Sequence, residues 1–151
     1  FPNGAHVAEV EIDPETGALD LIAYTVADDI GTVINPLLAE GQIHGGVAQG
    51  LSQAWMERIV YDAETGALLT GSLMDYAVPR ADSLGPIAIH HSPTPTNANP
   101  LGVKGVGESG TVGGLSAGIS AVCDALGIDH IDMPATPARI WAALQAKGGA
   151  R

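Results

Sequence analysis

His6-Val7-Ala8-Glu9-Val10-Glu11-Ile12 alternates apolar and polar residues, and after Asp13-Pro14-Glu15-Thr16-Gly17 the alternation resumes from Leu19 to Val26. A period of two is that of a half-buried strand. The intervening segment has Pro where φ is fixed negative and Gly where φ is positive, the chemistry of a tight turn. Residues 6–28 therefore read as a β-hairpin. The same turn recurs at Asp62-Ala63-Glu64-Thr65-Gly66, between Arg58–Tyr61 and Leu68–Thr70, and predicts a second hairpin. The flanking sequence does not repeat, so this is not a repeat architecture.

Three helices follow from caps and stripes. Asn35-Pro36 is a helix start, because Asn accepts from the first free amides and Pro tolerates the first helical position. Ile43, Val47, Leu51 and Trp55 then recur every four residues as one buried stripe. Gly41, Gly45, Gly46 and Gly50 interrupt this helix, each at a cost of up to about 1 kcal/mol against Ala. Close contact with a second helix or a ligand would offset that cost. A second helix carries Leu115, Ile119, Val122 and Leu126 and ends at Gly127. A third begins at Thr136-Pro137, buries Ile140, Trp141 and Leu144, and stops at Gly148-Gly149. Between them lie a strand at Pro86–His91 and an extended, Pro-punctuated loop from Ser92 to Pro100. The expected fold is one α+β domain of hairpins and a mixed sheet packed with about three helices.

Composition narrows the function. Apolar residues make up 46% of the 151-residue chain and charged residues 15%, which argues for a packed core rather than disorder. Six basic against seventeen acidic residues leave a formal charge of −11. Without a basic patch, neither nucleic acid nor an anionic membrane is an expected partner, and no apolar run reaches the length of a membrane span. One cysteine, Cys123, excludes an internal disulfide and a four-thiolate iron–sulfur cluster; near the stripe of its helix it reads as packing, in a cytoplasmic protein. The opening Phe1-Pro2-Asn3-Gly4 reads as a cut through a longer polypeptide. His6, His44, His90, His91 and His130 lack paired zinc spacing, so no metal-ligating residue is expected. His90 and His91 point to opposite faces of their strand. Asp28-Asp29 resembles a turn more than a metal site, and Gln49 and Gln53 read as surface amides.

The strongest local signal is Leu101-Gly102-Val103-Lys104-Gly105-Val106-Gly107-Glu108-Ser109-Gly110. Its glycines leave backbone amides uncovered, and it runs into a helix N-terminus, so the segment favours anions. Glu108 is then either a helix-start carboxylate stabilised by the dipole or a general base held against a ligand; the pattern by itself points first to the former. No Gly-Lys-Ser/Thr follows, so this is not a Walker loop. Gly105 to Gly110 fits a dinucleotide fingerprint in letters only, because Pro-rich loop precedes it instead of a strand. Lys104 either meets nearby negative charge or lies exposed.

Gly41-Gln42-Ile43-His44-Gly45-Gly46-Val47-Ala48-Gln49-Gly50, followed by Lys104-Gly105-Val106-Gly107-Glu108-Ser109-Gly110 and closed by Pro134-Ala135-Thr136-Pro137-Ala138-Arg139-Ile140-Trp141, resembles the large subunit of the molybdenum hydroxylases. That family includes xanthine dehydrogenase, aldehyde oxidoreductase and carbon monoxide dehydrogenase. The resemblance covers essentially the whole chain, with the motifs in the family's order. It implies the C-terminal portion of a larger molybdopterin-binding domain, with the cofactor in its cytosine dinucleotide form. It further implies that Glu108 is the catalytic base, that Gln42 hydrogen-bonds the pterin, and that Gly105, Val106 and Gly107 lie against the cofactor. A carboxylate beside an anionic metal complex suits proton abstraction, and an amide with both donor and acceptor suits a pterin edge. The implied reaction hydroxylates an aldehyde or N-heterocycle carbon with oxygen from water. The implied partners are the rest of the large subunit, iron–sulfur and flavin subunits or domains, and a small-molecule substrate, in an oligomer. On its own the chain is expected to be inactive, with no cofactor bound. Two other readings stand beside this one: a non-catalytic pterin- or nucleotide-binding module, and a subunit-assembly piece.

Overall fold

The computed structural model describes residues 1–148. The hairpin is built from β1 (Asn3–Ile12) and β2 (Leu19–Asp29), antiparallel from Asn3↔Asp29 to Ile12↔Leu19, with a bulge between Glu9 and Val10. Asp13 closes the turn, its carboxylate accepting from the Glu15 amide at 2.8 Å and the Thr16 hydroxyl at 2.7 Å. β3 (Ile87–His91) pairs parallel with β2, from Tyr24↔Ile87 to Asp28↔His91. The sheet is mixed, in the order β1-β2-β3, as the α+β reading requires.

Helices α1 (Pro36–Trp55) and α2 (Ser109–Leu126) pack on each other, with α2 against β1 and α1 against β3; α3 (Pro137–Gly148) closes the chain. Asn35 caps α1 by accepting from the Leu38 amide at 3.2 Å. The stripe Ile43, Val47, Leu51 and Trp55 is buried, together with Tyr24, Val26, Val122, Leu126 and Ile140, and Cys123 packs half-buried against them.

The α1–α2 contact differs from the stripe reading. Val122 and Leu126 are buried, but Leu115 and Ile119 are only partly so, and the innermost face of α2 carries Gly110, Gly114 and Gly118. Glycine adds nothing to a hydrophobic stripe, yet here it lets two backbones meet. A Cβ on Gly50 would stand 2.5 Å from the Thr111 carbonyl oxygen, and one on Gly110 would stand 2.5 Å from the Ile43 carbonyl oxygen. Helix contact thus offsets the conformational cost at Gly46 and Gly50. It does not do so at Gly41 and Gly45, which face open space.

Three other expectations change. The second hairpin is a turn with one bridge, Tyr61↔Leu68, and no strands. Asp62 closes it as Asp13 closes the first, but Ile59, Tyr61, Leu68 and Leu69 are exposed and have no core to pair over. Asp28-Asp29 is not a turn but the buried end of β2. Trp141 is 44% exposed, while its neighbour Ile140 is fully buried, so only one of the pair faces inward. The expected stop of α3 reaches Gly149, which lies outside the described residues.

Gly50→Ala should destabilise the chain by about 1–3 kcal/mol through overpacking against backbone, despite a helix-propensity gain of up to about 1 kcal/mol. Gly45→Ala, in open space, should stabilise it by roughly 0.5–1 kcal/mol. Urea unfolding midpoints should move in opposite directions for the two variants.

Candidate active site

The loop leading into α2 is tied to the end of β2. The Thr32 amide donates to the Gly102 carbonyl at 3.0 Å, the Lys104 amide to the Ile30 carbonyl at 2.9 Å, and Gly31 bridges Val103. The Asn99 side chain donates to the Val103 carbonyl at 2.9 Å and accepts from its amide at 3.2 Å. Lys104 is not an exposed lysine. Its Nζ sits 2.6 Å from Asp29 Oδ2, with both side chains only 10% exposed. The Lys104 hydrogen bond, then those from the Thr94 and Gly31 amides, hold the Asp29 carboxyl well below the usual carboxylate range.

Beyond this anchor the chain is open toward solvent. A Cβ on Gly105 would meet nothing within 4 Å, and Val106 is half-buried against the core. Gly107 lies beside α1, where a Cβ would approach Gln42 Nε2 at 3.8 Å. Glu108 follows at the N-cap of α2, exposed, and its carboxylate makes no capping hydrogen bond. Gln42, Gly107 and Glu108 are therefore neighbours, although 66 positions separate the first and last in sequence (108 − 42). Gln42 lines a groove of about 290 Å³ with Lys104 and Val106, whereas Glu108 lines a separate cavity of about 350 Å³ with His6 and Asp28.

The donor set fits an anionic cofactor rich in acceptors. The amides of Gly105, Val106 and Gly107 and the side-chain amide of Gln42 make no hydrogen bonds among the described residues. They precede the first turn of α2, whose free N–H groups favour negative charge. The carboxylate of Glu108 is equally uncommitted. A helix-start carboxylate stabilised by its own helix would be expected to turn back onto these amides, and this one does not.

Sequence reasoning set His6 aside for want of zinc spacing and read Asp28 as a turn residue, and so did not join the two. His6 Nε2 is 3.3 Å from Asp28 Oδ1, and its Nδ1 is 2.9 Å from the Tyr24 hydroxyl. Burial, then the charge of Asp28, pushes the Tyr24 phenol far above its usual range. The available signal was an acid at the inward-facing position of a strand whose other inward residues include Tyr24 and Val26. Among the described residues, no group of three or more His, Cys, Asp or Glu side chains is placed to hold a metal ion, and no helix is long and apolar enough to cross a membrane.

Comparison with known proteins gives this geometry a family. Residues 1–85 match the molybdopterin cofactor-binding domain. The chain belongs to that family, whose relatives are molybdopterin-binding subunits of molybdenum hydroxylases. It is 40% identical over 148 residues to the carbon monoxide dehydrogenase large chain of Hydrogenophaga pseudoflava, covering 96% of this chain and 18% of that one. It is 41% identical over 143 residues to the nicotine 6-hydroxylase large subunit of Paenarthrobacter nicotinovorans, covering 93% and 17%. Among solved structures it superposes on a copper- and molybdenum-containing CO dehydrogenase with a TM-score of 0.92 at 38% identity, covering 97% of this chain and 19% of that one. Quinoline 2-oxidoreductase from Pseudomonas putida 86 gives 0.89 at 39%, covering 95% and 19%. The chain thus spans less than a fifth of each of these relatives.

The Asp29–Lys104 pair carries a pH signature. Because the folded carboxyl is held below its unfolded value of about 4, its contribution is complete above that pH. It fades as pH falls further and the unfolded chain takes up the proton first. Lys104→Met should lower the urea midpoint at neutral pH and flatten its decline on acidification. An acid profile parallel to that of the unmutated chain would contradict this.

Proposed function

We propose that this chain supplies one wall of the active site of a molybdenum hydroxylase, with Glu108 as general base and Gln42, Gly105, Val106 and Gly107 against the pterin cofactor. The observation that carries the reading is the convergence of Gln42, Gly107 and Glu108, all with unspent polar groups, where α1 meets the start of α2. When bound, the cofactor supplies the two-electron redox chemistry of the hydroxylation. The residues of this chain do the rest. The Gly105–Gly107 amides and the α2 N-terminus neutralise negative charge on the ligand. Gln42 orients the pterin through one donor and one acceptor, and Glu108 Oε takes a proton from the water-derived nucleophile.

The cofactor in this reading is the cytosine dinucleotide form, and the substrate is an aldehyde or an N-heterocycle. The names of relatives, a nicotine 6-hydroxylase and a quinoline 2-oxidoreductase, favour the latter chemistry. The remaining large-subunit segments close the site, and iron–sulfur and flavin partners remove electrons, in a cytoplasmic assembly. The wall described here is one-sided, so the isolated chain should not turn over.

Glu108→Gln in the assembled holoenzyme tests the central claim. The amide keeps shape and polarity but cannot accept the proton, and general-base assistance is worth about 10²–10⁴-fold. Single-turnover reduction by substrate should slow by at least that range with molybdenum content unchanged. Reduction at the normal rate with full metal would return Glu108 to a helix-start carboxylate.

Gln42→Ala should act on retention instead. Loss of a neutral hydrogen bond costs on the order of 1 kcal/mol, so molybdenum content should fall while activity per bound molybdenum stays near normal. Full occupancy with collapsed activity per metal would place Gln42 in the chemical step.

A further inference from the structure

Lys104 is gripped by main chain and side chain at once, in both cases by residues at the end of β2. Its amide donates to the Ile30 carbonyl at 2.9 Å, and its Nζ donates to Asp29 Oδ2 at 2.6 Å. The two oxygens of Asp29 divide the work. Oδ1 accepts from the Gly31 and Thr94 amides, each at 2.9 Å, which leaves Oδ2 to the lysine. One buried carboxylate thus joins the end of β2, the loop after β3 and the loop that enters α2. Desolvation offsets much of the attraction within a buried pair. What the pair adds is a fixed direction in which the chain leaves residue 104.

The far end of this segment is fixed as well. A Cβ on Gly110 would lie 2.5 Å from the Ile43 carbonyl oxygen and 2.8 Å from the Val47 nitrogen, so α2 is seated on α1 from that residue onward. Between the two anchors run Gly105 to Ser109. Val106 packs against the core, and the Ser109 hydroxyl donates to the Val106 carbonyl at 3.3 Å. Glu108 takes φ −120° and ψ −6° here, not the extended backbone of the usual N-cap. An extended N-cap turns its side chain back onto the free amides of the first turn. In the conformation observed, the Glu108 carboxylate makes no such bond.

We propose that Lys104, held by Asp29, is a positioning residue for Glu108. This rests on the reading of Glu108 as general base. Left to α2 alone, Glu108 would relax into an ordinary cap, with its carboxylate spent on the first-turn amides. The lysine sets the point and direction from which Gly105 departs, and the short span to Gly110 carries that direction into the backbone of Glu108. The carboxylate is thereby kept off its own helix and available to a ligand. Lys104 spends its charge on Asp29 and acts through the backbone.

The test uses the assembled holoenzyme, with single-turnover reduction by substrate read per bound molybdenum in Lys104→Met, in Glu108→Gln and in the double variant. A misplacement of about an ångström can cost on the order of 10²-fold, and Lys104→Met should slow reduction by that much. In the double variant it should add nothing to the loss from Glu108→Gln, because the group it positions is already disabled. A normal rate in Lys104→Met, or losses that multiply in the double variant, would overturn the proposal. Asp29→Asn keeps an acceptor for both amides and removes only the charge, so it serves if Lys104→Met does not load cofactor. There a loss of at least roughly tenfold is expected, again absent in the Glu108→Gln background, and a normal rate counts against the pair. Hydrogen exchange gives a readout apart from activity. In either variant the amides of 102–104 should exchange roughly tenfold faster while those of the α1–α2 seam keep their unmutated rates. Equal acceleration in both regions would mean general loosening and would sink the positioning role. Normal reduction in Glu108→Gln alone removes the base and the positioning claim together. Slow reduction there, with normal reduction in the Lys104 and Asp29 variants, removes the positioning claim alone.

Discussion

The backbone contact between α1 and α2 is the constraint on which the rest depends. Gly46 and Gly50 on one helix meet Gly110 and Gly114 on the other closely enough that no side chain fits between. Dispersion over such a contact is short-ranged, and a gap of even an ångström forfeits much of it. The same contact sets where the two helices begin relative to each other. It therefore places Gln42, near the start of α1, beside Gly107 at the entry to α2. A larger residue in this seam would separate an amide and a carboxylate that have no other direct tie.

Much of the fold was legible because its signals are periodic. Alternation gave β1 and β2, the stripe from Ile43 to Trp55 gave α1, and Asn35-Pro36 gave its start. What was misread lay where packing is made by residues that periodicity does not weigh. Gly110, Gly114 and Gly118 are invisible to a hydrophobic stripe, so the buried face of α2 was placed one residue away, at Leu115 and Ile119. The Asp62 turn has the same local chemistry as the Asp13 turn, yet its pairing stops at one bridge and extends into no strands, with its apolar flanks left exposed. Trp141 failed for the converse reason: adjacent apolar residues on a helix cannot both face one core.

The site was legible in a different way. Spacing alone left Glu108 divided between two roles, and only the paired motifs identified the family; the match to the molybdopterin cofactor-binding domain agrees with them. The roles proposed for Glu108, Gln42 and the Gly105–Gly107 backbone rest on that resemblance and on the arrangement of uncommitted polar groups. Long-range polar contacts were out of reach. Lys104 and Asp29 are 75 residues apart, and no local pattern says that one finds the other. His6 and Asp28, on opposite strands of the first hairpin, are 22 apart.

The Asp29–Lys104 tie also orders events in time. The first hairpin closes a loop of a few residues and is fast to form, whereas parallel pairing of β2 with β3 and docking of the 101–107 loop must wait for distant segments to meet. The backbone proposed to face the cofactor is thus expected among the last features to acquire its shape during folding. On the proposed reading, a partly unfolded chain presents no pterin wall. On that reading, cofactor insertion follows the completion of the topology, and delivery of the cofactor reads whether the polypeptide is properly folded.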